Sequence, residues 1–270
     1  MCGACVIEAV KQRMLSRRDV LKAAPLAAAA PAAALSFAHA AEAPRHVVDL
    51  THTVSPEFPT YDGGPAYTVD KRFNFAEHGI NAHFVTINEH AGTHLDAPFH
   101  FSADGATVDE IPIDKLVCPL AVIDIREKAA ADPDASVTPD DIAAWTAAHG
   151  PLPDGACVAL FSGWADRVES DGFRNADEAG VQHYPGFHAE TAAMLLAEGA
   201  VAGLASDTLS IDIGASRTFD THYLWLPAGR WGLEAVAGLD QLPAAGATLI
   251  AGAPKRKGGT GGPTRALALV

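Results

Sequence analysis

Residues 90–100, His-Ala-Gly-Thr-His-Leu-Asp-Ala-Pro-Phe-His, place three imidazoles and one carboxylate within eleven positions. His90 and His94 are four apart, the spacing of a helical metal site, but Gly92 between them and Pro98 beyond oppose a regular helix. A tight Gly-Thr turn after an apolar strand at 83–88 would instead fold His94 back beside His90. His94 and Asp96 are two apart, so on extended chain both side chains point to one side. The fold is therefore expected to present this segment as a turn followed by a strand. Two neutral imidazoles and a carboxylate suit Zn²⁺, Mn²⁺ or Fe²⁺, with positions left for water or substrate. A lone histidine here would read as an ordinary polar loop group, whereas three with an aspartate and a turn-forming glycine point to a metal centre.

Charge narrows the partners. The chain carries 19 basic against 33 acidic residues, a formal net charge of −14. Such a chain lacks the basic face that a phosphate backbone requires, so no nucleic-acid partner is expected. The first forty residues run the other way, with Lys11, Arg13, Arg17, Arg18 and Lys22 against Glu8 and Asp19. Ser16-Arg17-Arg18-Asp19-Val20-Leu21-Lys22 resembles the twin-arginine export motif. An uncharged Ala-rich run follows to Ala38, and Ala38-His39-Ala40 supplies the small-x-small pattern of a cleavage site. That run falls short of the roughly 20 strongly apolar residues of a membrane span. The expected organisation is a twin-arginine signal peptide at 1–40 and one domain at 41–270. The mature protein would be exported, periplasmic or secreted, and without stable membrane association. Cys2 and Cys5 fall in the expected leader. Cys118 and Cys157 remain, each flanked by apolar residues, either as a disulfide or as two buried thiols.

Beyond residue 41, short β-rich runs at 46–50, 83–88, 120–125, 157–161, 201–205 and 248–251 alternate with helical stretches. Thr138 with Pro139 predicts a helix start, and 188–198 predicts a helix with Ala192, Leu195 and Leu196 on one face and Gly199 as its C-cap. This alternation predicts a mixed α/β domain.

The long motif spanning His90, Gly92, Thr93, His94, Asp96, Pro98 and His100 resembles the signature of the cyclase family of metal-dependent hydrolases, which includes kynurenine formamidases and isatin hydrolases. Val48-Asp49-Leu50-Thr51 resembles the opening strand of that family, and Phe161-Ser162-Gly163-Trp164 its Thr-Gly-Trp segment with Ser162 in place of Thr. Tyr184-Pro185-Gly186-Phe187, the run Asp207-Thr208-Leu209-Ser210-Ile211-Asp212, and the closing Gly262-Pro263-Thr264-Arg265 are similar as well. The resemblance implies the compact swivelling β/β/α fold, a mixed sheet with flanking helices, assembled as a homodimer or homotetramer. It implies a metal site of His90, His94, Asp96, His222 and Glu234, holding one or two divalent ions, Zn²⁺ or Mn²⁺, with His100 as a non-ligand proton carrier. Glu234 stands where isatin hydrolases carry Gln, which implies the dinuclear, formamidase-like arrangement. Ala235 departs from the Asn or Gly often found there. Asp207, Ser210 and Asp212 read as residues that fix a loop.

The implied activity is hydrolysis of the C–N bond of a small-molecule amide by metal-activated water, the leading substrate being an aryl formamide of the N-formylkynurenine kind. An isatin-like lactam, a natural-product cyclisation or dehydration, and an exported metal- or ligand-binding protein without turnover are the alternatives. Phe58, Tyr61, Phe73, Trp164, Tyr223 and Trp225 are the aromatic candidates for a pocket wall. The export reading is open to direct test. Replacing Arg17 and Arg18 by Lys should hold the precursor in the cytoplasm, and mass spectrometry of the exported wild type should find a start near Ala41. An intact Met1 in the membrane fraction would overturn cleavage.

Overall fold

The computed structural model describes residues 46–270, so the expected leader at 1–40 lies outside the described residues. The described chain divides into two compact units. The smaller covers 68–86. It is made from β2 (Tyr67–Phe73), the single-turn helix α1 (Phe75–His78) and β3 (Ala82–Ile87), with β2 and β3 forming a two-stranded sheet. Asn74 caps α1 by accepting the Glu77 N–H at 3.0 Å, and Gly79 ends it in the left-handed conformation.

The larger unit starts with β1 (Val47–Asp49) and continues through β4 (His94–Asp96), β5 (Val117–Asp124), α2 (Arg126–Ala131), β6 (Ser136–Val137), α3 (Pro139–His149) and β7 (Ala156–Phe161). It then runs through β8 (Gly186–Phe187), α4 (Ala189–Glu198), β9 (Val201–Ser206), α5 (Asp220–Trp225), β10 (Trp231–Glu234), β11 (Ala247–Gly252), β12 (Gly261–Pro263) and β13 (Arg265–Leu269). Among the described residues the main sheet has nine strands in the order β1-β13-β11-β5-β7-β9-β10-β4-β12. Its centre, β5-β7-β9-β10, is parallel, and the pairs on either side are antiparallel. This is the α/β architecture with a mixed sheet and flanking helices that the sequence implies.

The parallel strands are apolar over most of their length because both faces are covered, with Asp124, Ser206 and Glu234 at their C-terminal ends. Leu120, Val122, Cys157, Ala159 and Ala205 point into one core, while Ala121, Ile123, Val158, Leu160 and Leu204 point into another with Ile142 and Trp145 of α3, Leu195 of α4 and Trp225 of α5. The period of two sorts each strand between these cores. The helix starts and stops follow the sequence signals. Asp141 accepts the Thr138 N–H at 2.7 Å in a capping box with Pro139 in the first turn, and Gly199 closes α4 by donating to Leu195 O.

The sheet curls on itself. Val48 of β1 and Leu95 of β4 stand near opposite ends of the strand order, yet they share one core cluster. The C-terminal strand expected around 262–265 is in fact two strands separated by Thr264. β12 pairs with β4, while β13 pairs with β1 and β11. Pro263 and Arg265 are two residues apart and can span only about 7 Å, so the two ends of the sheet must meet there. Buried Thr264 marks the crossing, its N–H donating to Thr93 O at 2.8 Å.

Cys118 and Cys157 are both free and buried in that shared core. Burial raises the Cys118 thiol to about 11 and holds Cys157 well above the usual thiol range. Native protein treated with iodoacetamide at pH 8 should therefore leave both cysteines unmodified in peptide mass spectra, and denaturant should expose them together. A disulfide-linked peptide pair from native protein would contradict this arrangement.

Candidate metal centre and active site

Short elements carry the site. The turn 88–93 bends through Gly92, whose φ of +68° suits glycine, and a Cβ there would lie 2.3 Å from Val54 Cγ2. The turn delivers His94 and Asp96 onto β4 and brings His90 back over them, as the spacing predicts. Across the sheet, β10 pairs antiparallel with β4, setting Glu234 opposite His94 and Gly232 opposite Asp96. Glu234 therefore joins the imidazole on one face. Pro98–Phe101 forms a single 3₁₀ turn that places His100 in the same cluster, and α5 contributes His222 from the other side.

The distances are short. His90 Nδ1 lies 2.6 Å from Asp96 Oδ1, and His94 Nε2 lies 3.4 Å from Asp96 Oδ1 and 3.3 Å from Glu234 Oε2. His222 Nε2 lies 3.4 Å from Asp96 Oδ2 and 3.2 Å from Glu234 Oε1. The His100 ring stacks on His90 with centroids 3.8 Å apart and sits 6.1 Å from His222. All six expected site residues converge, and among the described residues Asp96 belongs to both groups able to hold an ion, His90-His94-Asp96 and Asp96-His100-His222. Asp96, His94, His222 and Glu234 are buried, whereas His90 and His100 are partly exposed.

The donor set fits a divalent cation. His94 Nδ1 lies 2.8 Å from the Gly92 carbonyl oxygen, which can only accept, so in the neutral ring Nδ1 carries the proton and Nε2 the lone pair. His222 Nδ1 lies 2.5 Å from the Asp212 carboxylate, with the same result. Lone pairs of two imidazoles and oxygens of two carboxylates thus converge, and His94 Nε2 and Asp96 Oδ2 are buried without any hydrogen-bond partner. Leaving such atoms unsatisfied costs about 1–3 kcal/mol each. The cluster calls for positive charge. Burial opposes a charged His94, yet Asp96 and Glu234 raise it to about 10, and the same contest, joined by Asp212, raises His222. Burial would raise the two carboxylates, but the imidazoles draw Asp96 well below its usual range and lower Glu234 as well. His100 goes the other way. Its burial lowers it to about 4, which leaves the ring neutral at pH 7.

The loop residues divide by what they hold. Asp207 accepts from the backbone N–H groups of Ser162, Gly163 and Trp164 and from the Ser162 hydroxyl, tying down that segment. Asp212 accepts from the N–H groups of Thr221 and His222 as well as from the His222 ring, so one carboxylate caps α5 and aims its imidazole. Ala235, at φ +51°, occupies the left-handed region beside Glu234, the conformation that Asn or Gly adopts more readily. Its N–H donates to Thr208 O and its carbonyl accepts from Thr93 Oγ1, which pin it there.

A cavity of about 280 Å³ opens over the cluster, walled by Tyr61, Phe101, Leu209 and Phe219. Of the aromatic residues put forward from sequence, Tyr61 lines it. Phe58, Trp164 and Trp225 are buried in cores, Tyr223 is exposed, and Phe73 ends β2 in the smaller unit. Phe101 and Phe219 were missed. Phe101 packs 4.5 Å from the His222 ring, and Phe219, held at φ +52°, packs 5.8 Å from Tyr61. Phe101 sits one residue past the histidine motif, and that adjacency was the available signal.

The sequence profile of the Cyclase family matches residues 48–213. An isatin hydrolase of Roseibium aggregatum is 35% identical over 243 residues, 83% of this chain and 91% of that protein. A kynurenine formamidase of Salinibacter ruber is 31% identical over 230 residues, 82% and 96% of the two chains. The crystal structure of an isatin hydrolase bound to the product analogue thioisatinate superposes with a TM-score of 0.77 at 34% identity, covering 84% of this chain and 92% of that one. Fold and site together define an enzyme of the hydrolase class whose buried histidines and carboxylates are suited to a divalent metal. The chain belongs to the Cyclase family.

Close approach of backbone sets a limit at one strand. Gly261 pairs with Asp96, and a Cβ there would lie 2.4 Å from Leu95 O and 2.9 Å from His90 Cε1. Gly232, also opposite Asp96, would meet nothing nearer than 3.6 Å. Gly261→Ala should therefore cost about 1–3 kcal/mol in denaturant melts and reduce bound metal, whereas Gly232→Ala should remain close to wild type in both.

Proposed function

We propose that this enzyme hydrolyses the C–N bond of a small aryl amide held in the aromatic-walled cavity, with His90, His94, Asp96, His222 and Glu234 binding one or two divalent ions and His100 moving the proton. The observation that carries this reading is the neutral imidazole of His100 stacked on His90 at the floor of that cavity. What a bound Zn²⁺ or Mn²⁺ supplies is Lewis acidity toward water and toward the scissile carbonyl. His100 accepts the proton that water gives up as its oxygen bonds to the carbonyl carbon, then delivers it to the nitrogen as the C–N bond breaks. Asp212 keeps the His222 proton on Nδ1 throughout, so that ring takes no part in proton transfer. Tyr61, Phe101 and Phe219 hold the aryl group and exclude water around it.

Two substrates fit this chemistry. Opening an N-formyl anilide yields formate and a free arylamine, and Glu234 supports it by standing where isatin hydrolases carry Gln. Opening a five-membered lactam yields a ring-opened amino acid, and the 35% identity to an isatin hydrolase supports that one. Assays on N-formylkynurenine and isatin, run with metal analysis on the same preparations, separate them. His100→Ala should keep its metal and its fold while kcat falls roughly 10²–10⁴-fold. Asp96→Ala should lose metal first and activity as a consequence. A metal-free His100→Ala, or one that turns over at the wild-type rate, would end the assignment of His100 as proton carrier.

A further inference from the structure

A hydrogen-bonded chain runs outward from His90. Its Nε2 lies 2.8 Å from Thr260 Oγ1, and Thr260 Oγ1 lies 2.5 Å from Glu89 Oε2. Glu89 Oε1 pairs in turn with the Arg256 guanidinium, and Arg256 also donates to Gly261 O at 3.2 Å. Proton counting fixes the direction of this chain. An ionised carboxylate only accepts, and a hydroxyl has a single proton to give. The Thr260 hydroxyl donates to Glu89, so it must accept from His90, and the His90 proton resides on Nε2. Nδ1, the nitrogen that faces the cluster, lies 2.6 Å from Asp96 Oδ1 and hydrogen-bonds to that carboxylate, and a bound cation would take the place of the Nδ1 proton and use the lone pair it leaves. His94 and His222 present their lone pairs from Nε2, with Nδ1 engaged by Gly92 and Asp212. His90 therefore faces the cluster through the opposite nitrogen.

We infer that Thr260 and Glu89 are positioning residues that hold His90 as an Nδ1 ligand, an inference resting on the metal-dependent reading of the site. The loop that supplies Thr260 is itself anchored beside β4, because Ala97 N–H donates to Thr260 O at 2.9 Å and Val108 N–H donates to Gly259 O at 2.9 Å. Arg256 fixes the Glu89 carboxylate so that the hydroxyl proton stays turned away from His90. Removing the Glu89 acceptor would free that proton to swing toward Nε2, favouring the tautomer with its proton on Nδ1 and closing off the ligand atom.

Zn²⁺ affinity of the full chain, measured by competition with a fluorescent chelator, tests this together with thermal melts of metal-free protein. Thr260→Val keeps the side-chain volume but can neither accept from His90 nor donate to Glu89. It should bind Zn²⁺ about 10–100-fold more weakly while its metal-free melting temperature stays near wild type. Thr260→Ser should restore affinity to within about threefold of wild type, as expected of a hydroxyl role. Glu89→Leu, at a partly exposed position, should weaken Zn²⁺ into the same range as Thr260→Val and covers the case in which that variant fails to fold. Wild-type affinity in Thr260→Val or Glu89→Leu, or a Thr260→Ser as weak as the valine variant, overturns the relay. A wild-type chain that binds no Zn²⁺ sinks the metal reading itself, an outcome distinct from equal binding by wild type and variants.

Discussion

Asp96 is a carboxylate with no solvent exposure, placed on a three-residue strand and surrounded by imidazole nitrogens. An ionised group taken that far from water costs several kcal/mol unless it is paired and its lone pairs are engaged. The neighbouring architecture meets that demand in part, leaving Oδ2 without a hydrogen bond. The Gly92 turn brings His90 over one oxygen, α5 brings His222 beside the other, and the β4–β10 register brings Glu234 into the same group. Glu234 adds a second negative charge where one is already expensive. The cluster is therefore poorly balanced as a purely structural ion-pair network and well suited to a cation.

The aromatic wall depends on the same elements. Phe101 belongs to the 3₁₀ turn that carries His100, and Phe219 precedes the helix that carries His222. The aromatic side chains of the cavity wall and the histidines of the cluster are thus one to three residues apart in the chain. The left-handed conformation of Phe219 is costly for an aromatic residue, and it persists because its N–H donates to Ser216 Oγ while its ring packs on Tyr61 and Phe101.

What the sequence discloses and what it conceals follow from separation along the chain. The His90–His100 segment announced itself because its donors are close in sequence, and the central strands did so because both of their faces are buried. The caps at Thr138 and Gly199 were legible for the same local reason. His222 and Glu234 came only through the family resemblance, since nothing near them repeats the spacing of the motif. Thr260 escaped notice because its contact with His90 crosses 170 positions, and Glu89 because it reads as an ordinary surface carboxylate until Thr260 is seen beside it. The strands β4, β10 and β12, three or four residues each, are too short to show a period, so their pairing emerges only in the folded chain.

The crossing at Thr264 has a consequence for how the molecule comes into being. The two ends of the strand order come together only when β12 docks on β4 and β13 inserts between β1 and β11, and all of β12 and β13 lies after residue 260. Contacts of such high sequence separation are made late in folding, because the loop entropy must be surrendered before they reward it. During synthesis His90, His94 and Asp96 emerge long before their covering strand exists. The acidic and imidazole groups that later form one buried cluster therefore spend translation exposed to water and to one another's competitors. A chain cut short before residue 260 would carry His90, His94, Asp96, His222 and Glu234 but lack β12, the strand that pairs with β4 beside them.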